Sequence, residues 1–319
     1  MPVSRDIGPA STDNPADSPV VEGTCYLLAI GIDQYKSPQV RPLYNAVRDA
    51  KKFITVLTSK YQFQRGNVTE LFNEKATESA ILSAIDQLIA TVREEDSLIV
   101  YYSGHGYVHR VTNRGFWVPY EGIFGDASTA ISDSTLVDHL SVFKGRHLVV
   151  IVDACFSGTL SEITRGGAAL YNQEDAFNIR LSQLPSRWLL TSGRREPVLD
   201  GEPGYHSPFA THLLDTLKRN EEKFLSVRDL GDRTGRAVFE SGYQQHPHSA
   251  AWDIGMPDNT GQFMFRITKD PGTALTGKDW EVNLPKIPSF VRRVPKNLWQ
   301  VFAFIVFLWV SALGVYAVM

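Results

Sequence analysis

Two short strings of the sequence each place one reactive side chain directly after an apolar run. Cys155 lies in IVDACFSG (151–158), and His105 lies fifty positions earlier in YSGHG (102–106). In an α/β sheet such run-ends are the carboxyl ends of buried strands, where ligands bind and chemistry occurs. A thiol and an imidazole at the ends of two neighbouring strands form a nucleophile with its base. The spacing therefore predicts nucleophilic catalysis by Cys155 with His105.

Acyl transfer makes further demands on these two positions. A thiolate forms more readily when an imidazolium lies within hydrogen-bond reach, and the developing oxyanion needs nearby donors. The backbone N–H groups of Gly106 and Cys155 are the predicted donors. The alternative is a turn histidine and an inert buried thiol. It explains either residue alone, but the two together at matching strand ends favour catalysis.

Composition narrows the class of protein. The 319 residues are 43% hydrophobic and 21% charged, which is ordinary for a globular chain. The net charge of −3 gives no basic field, so we expect no nucleic acid partner. Only Cys25 and Cys155 carry thiols, too few for a disulfide scaffold, and Cys25 falls in an apolar run typical of an inert buried thiol. A reducing cytosolic environment suits such a chain.

Strands and amphipathic helices alternate along the chain, which predicts a parallel sheet covered on both faces. A polar stretch with no clear period follows Cys155 and is predicted as a long irregular loop over about 159–186. Ser132 or Ser134, Thr77 and Ser226 are predicted helix caps. The predicted strands are 24–32, 68–72, 97–102, 147–152, 187–192 and 261–268, with a short extended piece at 116–119. The predicted helices are 43–57, 77–92, 132–143, 209–220 and 226–239.

The strings SGHG (103–106) and DACFSG (153–158) resemble the two catalytic blocks of the caspase-like peptidases, in particular the metacaspases and their bacterial relatives. The spacing from histidine to cysteine is similar to that of caspases. The resemblance extends over about residues 24–268. It implies a caspase-haemoglobinase fold, which is α/β with three αβα layers and a mainly parallel central sheet. It also implies peptide-bond hydrolysis through an acyl-enzyme, with His105 and Cys155 as the dyad.

The same resemblance implies a substrate preference. Caspases carry Gln two residues before the cysteine and bind an acidic side chain with arginines, whereas this chain has Asp153 there. By resemblance to metacaspases, Asp153 and Asp49 line the S1 pocket, where two carboxylates would attract Arg or Lys. Ser192 and Asp200 follow the fifth strand and are further predicted pocket contacts, although Arg194 departs from the metacaspase pattern. The alternatives are a solvated helix carboxylate for Asp49 and a structural turn cap for Asp153.

No metal or cofactor site is predicted. Several metacaspases need calcium, but the sequence has no dense acidic run like a calcium-binding loop, and calcium dependence is left open. Zinc is disfavoured because His105 and His109 have only one thiol near them in the sequence. A phosphate-binding loop is not indicated, since the Gly-rich pairs lack the Lys and Ser of a Walker motif.

The two ends of the chain predict separate segments. Residues 1–23 read as a disordered tail, and 269–297 as a proline-containing basic linker. Residues 298–318 are apolar with one Gln and no charge, long enough for a transmembrane helix. Basic residues precede this segment, which predicts a single-pass anchor in the cell (inner) membrane with the peptidase domain facing the cytoplasm. A buried core helix is the alternative.

The sequence as a whole predicts a membrane-tethered cysteine endopeptidase that cleaves proteins after Arg or Lys. The resemblance implies a stress, defence or cell-death pathway, and it leaves open an activating protein partner and self-cleavage in the 159–186 loop. The alternative is a catalytically silent scaffold that keeps the fold and binds a partner. A serine hydrolase using Ser103 or Ser157 is disfavoured, since neither lies in a Gly-x-Ser-x-Gly elbow.

Overall fold

The computed structural model describes residues 23–155, 164–165, 175–194, 196, 198–255 and 259–268. Strands and helices alternate along these residues, as the apolar periodicity predicts. The strands are β1 (Cys25–Gly31), β2 (Val68–Phe72), β3 (Ser97–Ser103), β4 (Gly106–Val108), β5 (Gly115–Trp117), β6 (Ile131–Ser132), β7 (His147–Asp153), β8 (Thr164–Arg165), β9 (Ser186–Thr191), β10 (Phe224–Ser226), β11 (His248–Trp252) and β12 (Met264–Arg266). The α-helices are α1 (Ala46–Lys60), α2 (Glu78–Thr91), α3 (Asp133–Ser141), α4 (Asp175–Gln183), α5 (Pro208–Arg219) and α6 (Val227–Glu240).

The central sheet has seven strands in the order β2-β1-β3-β7-β9-β11-β8. The pairs β2–β1, β1–β3, β3–β7 and β7–β9 are parallel, and β11 is antiparallel to both β9 and β8. Strands β3 and β7 are buried along their whole length, as expected for a parallel sheet covered on both faces. The predicted α/β fold with a mainly parallel sheet is confirmed.

Helices cover both faces of this sheet, because successive residues of a strand point to opposite sides. On one face Phe53 of α1 and Leu213 of α5 share a buried cluster with Ile99 of β3, and α6 contributes to the same cluster. On the other face Ile85 of α2 shares a cluster with Val100, and α3 contributes there. The described residues therefore form the three αβα layers that the resemblance implies.

Side-chain caps fix where three helices begin. The side-chain oxygens of Thr77, Ser132 and Ser226 each accept a hydrogen bond from the backbone N–H three residues further on, at 3.1, 3.0 and 3.0 Å. Such a bond satisfies a donor that has no partner within the helix. The predicted caps of α2, α3 and α6 are confirmed, with Ser132 rather than Ser134 capping α3.

The prediction of one irregular loop over 159–186 is wrong, since β8 and α4 lie within it. The α4 sequence DAFNIRLSQ has only a weak apolar stripe, which hid its helical period. Strand β11 was also missed, because HSAAW is small and polar and carries none of the β-branched residues that mark a strand. The last strand is shorter than predicted: Met264–Arg266 pairs with β10, and Ile267 adds a single bridge to Tyr61.

Three of the predicted segments lie mostly or wholly outside the described residues: the tail over 1–23, the linker over 269–297 and the transmembrane helix over 298–318. Within the residues that the structure describes, no helix has both the length and the apolar character needed to cross a bilayer.

We expect Leu213→Ala to lower the free energy of unfolding by about 2–5 kcal/mol, because Leu213 is fully buried between α5 and the sheet and its truncation leaves a cavity. Urea denaturation followed by circular dichroism measures the change. Val142→Ala is the control, since that side chain is 61% exposed and its loss costs under about 0.5 kcal/mol. Equal losses in the two variants would contradict the assigned packing.

Candidate active site

The carboxyl ends of β3 and β7 bring the His105 and Cys155 segments side by side. The two strands are parallel neighbours with Ser103 opposite Asp153, so each reactive residue follows its strand by two positions. The Gly104 N–H donates to the Asp153 carbonyl at 3.3 Å across this junction. A Cβ on Gly106 would lie 2.7 Å from the Cys155 carbonyl oxygen, which only glycine avoids.

The thiol of Cys155 is partly buried and makes its hydrogen bonds to Val198. The Val198 N–H donates to Sγ at 3.3 Å. The thiol in turn donates to the Val198 carbonyl oxygen, which lies 3.6 Å from Sγ. Burial raises the pKa of the thiol, the Val198 N–H opposes that rise, and the Asp153 charge adds to it. The uncharged thiol is therefore favoured in this arrangement.

The tautomer of His105 follows from its bond to the Arg41 carbonyl. The ring Nε2 lies 2.6 Å from this oxygen, which can only accept, so Nε2 carries the hydrogen and the neutral ring keeps a basic Nδ1. Burial lowers the pKa of His105, a change that the hydrogen bond to Arg41 opposes. The ring is therefore uncharged near pH 7 and can accept a proton at Nδ1.

Aromatic residues hold the His105 ring and backbone. The ring centroid lies 5.0 Å from that of Tyr35 and 5.9 Å from that of Phe124. The His105 N–H donates to the Tyr35 hydroxyl at 2.7 Å, and the Tyr102 hydroxyl donates to the His105 carbonyl at 2.7 Å. Sequence reasoning missed Tyr35 and the Arg41 carbonyl, since they lie over sixty residues from His105 in the chain.

Among the described contacts, the Cys155 thiol and the His105 ring bond to different partners, Val198 and Arg41. Catalytic hydrogen bonds are often long or poorly aligned until substrate binds. The predicted oxyanion donors Gly106 and Cys155 also lie at this junction, and the Cys155 N–H faces its own sulfur, where it lowers the thiol pKa. Their catalytic roles stay predictions.

Cys25 lies away from this edge. It begins β1, whereas Cys155 follows the carboxyl end of β7. It is buried and lines a cavity of about 280 Å³ at the amino ends of the strands, together with His147 of β7. Neither cysteine forms a disulfide.

Four carboxyl groups, one of which acts on the Cys155 thiol, are linked electrostatically and form what we term the acidic cluster, Asp33, Asp49, Asp153 and Asp200. Burial raises the pKa of all four, and the negative charges of other members raise the pKa values of Asp49, Asp153 and Asp200 further. The structure thus brings together the predicted residues Asp49, Asp153 and Asp200, and adds Asp33. Sequence reasoning missed Asp33, because its only signal was its position after the first strand.

Ser207 joins two members of the acidic cluster. Its N–H donates to Asp49 at 3.1 Å, and its hydroxyl donates to Asp153. Ser207 also caps α5, where its Oγ accepts from the Ala210 N–H at 2.9 Å. The amino end of α5, with its partial positive charge, therefore lies against both buried carboxyl groups. Sequence reasoning missed this residue, although Ser-Pro before an apolar run is a typical helix start.

Asp153 is buried, with 5% of the residue exposed, yet one of its carboxyl oxygens has no hydrogen-bond partner in the described structure. The buried hydroxyl of Ser192 lies beside this carboxyl group, close enough to lower its pKa. Burial raises the pKa of Asp153 to about 7, and the hydrogen bond from Ser207 opposes this rise. The unpaired acceptor oxygen of this buried carboxyl group suits a ligand that brings its own N–H donors.

Asp200 joins the loop after β9 to the start of α1. Its carboxylate accepts from the backbone N–H groups of Tyr44 at 2.6 Å and Asn45 at 3.3 Å, and the Asn45 amide donates to the Asp200 carbonyl at 2.7 Å. These bonds occupy both carboxylate oxygens. Direct contact of Asp200 with a substrate stays a prediction.

The described residues contain no group of three or more His, Cys, Asp and Glu side chains arranged to hold a metal ion.

Comparison with solved structures identifies the fold. Protein GSU0716 of Geobacter sulfurreducens has a TM-score of 0.50 at 19% identity, with coverage of 80% of this chain and 98% of that one. Caspase-1 of Spodoptera frugiperda has a TM-score of 0.51 at 13% identity, with coverage of 79% and 93%. At these identities the likeness concerns the fold alone, and it confirms the expected caspase fold.

Two curated relatives are metacaspases. Metacaspase III c of Phaeodactylum tricornutum is 28% identical over 159 residues, which are 46% of this chain and 46% of the relative. Metacaspase-1 of Scheffersomyces stipitis is 24% identical over 151 residues, which are 43% of this chain and 36% of the relative. The chain thus spans less than half the length of either relative. The Caspase domain model of peptidase family C14 matches residues 24–253, which is more than half of the chain, and the protein therefore belongs to the caspase-domain family.

Proposed function

We propose that this protein is a cysteine endopeptidase with Cys155 as nucleophile and His105 as general base. Membership of the caspase-domain family supports a cysteine peptidase. The observation that carries the assignment is the uncharged His105 ring, bonded through Nε2 to Arg41 and free to accept a proton at Nδ1, beside the segment that holds Cys155.

The reaction follows from these protonation states. As Sγ of Cys155 attacks the substrate carbonyl carbon, the thiol proton passes to Nδ1 of His105, and the carbonyl oxygen takes the negative charge. The N–H groups of Gly106 and Cys155 stabilise that oxyanion. The imidazolium then gives its proton to the leaving amine, and a thioester remains. Water, deprotonated by the same ring, hydrolyses the thioester and restores the thiol.

Substrate binding must displace one contact of the free protein. The Val198 backbone holds the thiol through its N–H and carbonyl, which are the groups that a bound peptide also presents. A substrate carbonyl approaching Sγ therefore takes the place of Val198.

Cys155→Ala and His105→Ala should each lower kcat/KM for a fluorogenic peptide ending in Arg by at least about 10³-fold, because each removes one half of the proton transfer. Cys25→Ala is the matched control and should turn over like the unchanged protein. Turnover that survives Cys155→Ala would contradict the nucleophile. A correctly folded, unchanged protein that cleaves neither Arg-ending nor Asp-ending peptides would favour the silent scaffold.

We further propose that the acidic cluster is the S1 pocket and binds Arg or Lys. A buried carboxyl group with one unpaired oxygen disfavours an anionic side chain and favours a cation that brings its own donors. Asp153 supplies the unpaired acceptor, the Ser192 hydroxyl lies beside it, and Asp49 is close enough to act electrostatically on the Asp153 carboxyl group.

Asp153→Asn should lower kcat/KM for Arg-ending peptides by about 10²-fold, since it removes the negative charge of the carboxyl group that carries the unpaired oxygen. Asp138→Asn, on the exposed side of α3, is the control. In the unchanged protein KM should rise as pH falls through about 7, because protonation of Asp153 removes that charge. A peptide-library profile that prefers Asp at P1 would contradict the pocket assignment.

Membrane attachment is a separate proposal that depends on the sequence. Residues 298–318 are apolar and uncharged, and Lys286, Arg292, Arg293 and Lys296 precede them. We propose a single-pass helix in the cell membrane with the peptidase domain on the cytoplasmic side. Such a tether restricts substrates to proteins near that membrane.

The full chain should therefore remain in the membrane pellet after alkaline carbonate extraction, and a chain ending at residue 297 should be released. The helix contributes enough apolar surface to hold the protein in lipid without further contacts. Protease added to inverted membrane vesicles should digest the caspase domain. Release of the full chain by carbonate would rule out a spanning helix.

A further inference from the structure

His206 lies in the wall of the acidic cluster, against its most buried carboxylate. Its Nδ1 hydrogen-bonds one oxygen of Asp49, and the N–H of the next residue, Ser207, binds the other oxygen at 3.1 Å. The Asp49 side chain is fully buried and that of His206 is 14% exposed. Both oxygens of Asp49 thus depend on two consecutive residues that precede α5, although they lie 157 and 158 positions away in the chain.

We propose that His206 is a positioning residue of the S1 pocket: its Nδ1–H fixes Asp49, and through Ser207 it holds Asp153 with one oxygen directed to the substrate's basic side chain. This inference rests on the proposed binding of Arg or Lys by the acidic cluster. His206 itself touches no reacting atom.

The protonation state of His206 explains why a histidine suits this position. Burial, together with the positive charges of Lys218, Arg48 and Lys52, lowers its pKa to about 4. The ring is therefore neutral near pH 7 and donates one hydrogen bond without adding a positive charge. A lysine or arginine there would neutralise Asp49 and so weaken the attraction for a substrate cation.

The geometry of α5 carries the effect of His206 to Asp153. Ser207 is the N-cap of this helix, and its hydroxyl both accepts from Ala210 and donates to Asp153. Because His206 immediately precedes the cap, its bond to Asp49 fixes the amino end of α5 against α1. Loss of that bond would free Ser207 and, with it, the orientation of Asp153.

Three variants of His206 test whether the pocket needs a hydrogen-bond donor here and whether that donor must lie at the position of Nδ1. In His206→Asn the amide nitrogen can replace Nδ1, in His206→Gln it lies one bond further out, and His206→Ala has no donor. For Arg-ending peptides we expect KM to rise about tenfold or more in the Ala and Gln variants, with kcat within about threefold. The Asn variant should keep KM within about threefold of the unchanged protein.

His212→Ala is the matched control. This histidine, which lies on α5 itself, is also partly buried, but it hydrogen-bonds Ser241 rather than the acidic cluster. Its loss should leave KM unchanged. Titration calorimetry of an Arg-ending peptide amide with each variant in a Cys155→Ala background should give the same order of affinities without any turnover.

Two results would overturn the role of His206. One is a KM and a peptide affinity that are unchanged in the Ala and Gln variants. The other is an equal loss of kcat, affinity and melting temperature in all three variants, which marks a merely structural residue. In either case the unchanged protein still cleaves after Arg, so the proposed function stands. A protein that prefers Asp-ending peptides would instead sink the proposed function, whatever the variants do.

Discussion

The site depends on the parallel pairing of β3 with β7. Seven residue pairs in register, from Ser97 with His147 to Ser103 with Asp153, bring the segments that follow the two strands to the same end of the sheet. A slip of one residue would move side chains of one strand from one core cluster to the other, so the packing of both clusters fixes this register. The same register that satisfies the core therefore places the thiol segment beside the imidazole segment.

Burial is the second constraint, and it acts on every ionisable group of the site. It favours the uncharged thiol, the uncharged imidazole and protonated carboxyl groups. Keeping the Asp153 carboxyl charged, when its pKa is about 7 rather than 3.8, costs the folded state on the order of 4 kcal/mol. Such a cost is typical of functional sites, and a cationic ligand would offset it.

Much of the fold could be predicted from the sequence, because its strong periods are local. The boundaries of β2 and the caps at Thr77 and Ser226 follow from short-range rules. The predictions failed at α4 and β11, where the sequence carries little stripe or alternation, and β11 is a strand because it pairs with β9 and β8. Tertiary contact decides such segments.

The residues of the candidate site also divide into those that the sequence marks and those that only tertiary structure brings to the site. Asp153 ends an apolar strand, and His105 and Cys155 follow theirs by two residues, so the sequence marks all three. Arg41 acts through a backbone carbonyl that any residue could supply, and Ser207 reaches the site only because α5 packs beside α1. Backbone groups and long-range packing leave no local signal in a single sequence.

The most direct measurement is covalent labelling with a peptidyl acyloxymethyl ketone that ends in Arg, followed by mass spectrometry of the labelled peptides. A shared cleft predicts one adduct, on Cys155, that forms slowly or not at all in His105→Ala and leaves Cys25 unmodified. Labelling of Cys155 at an equal rate without His105, or an adduct on Cys25 alone, would contradict the pairing of thiol and imidazole.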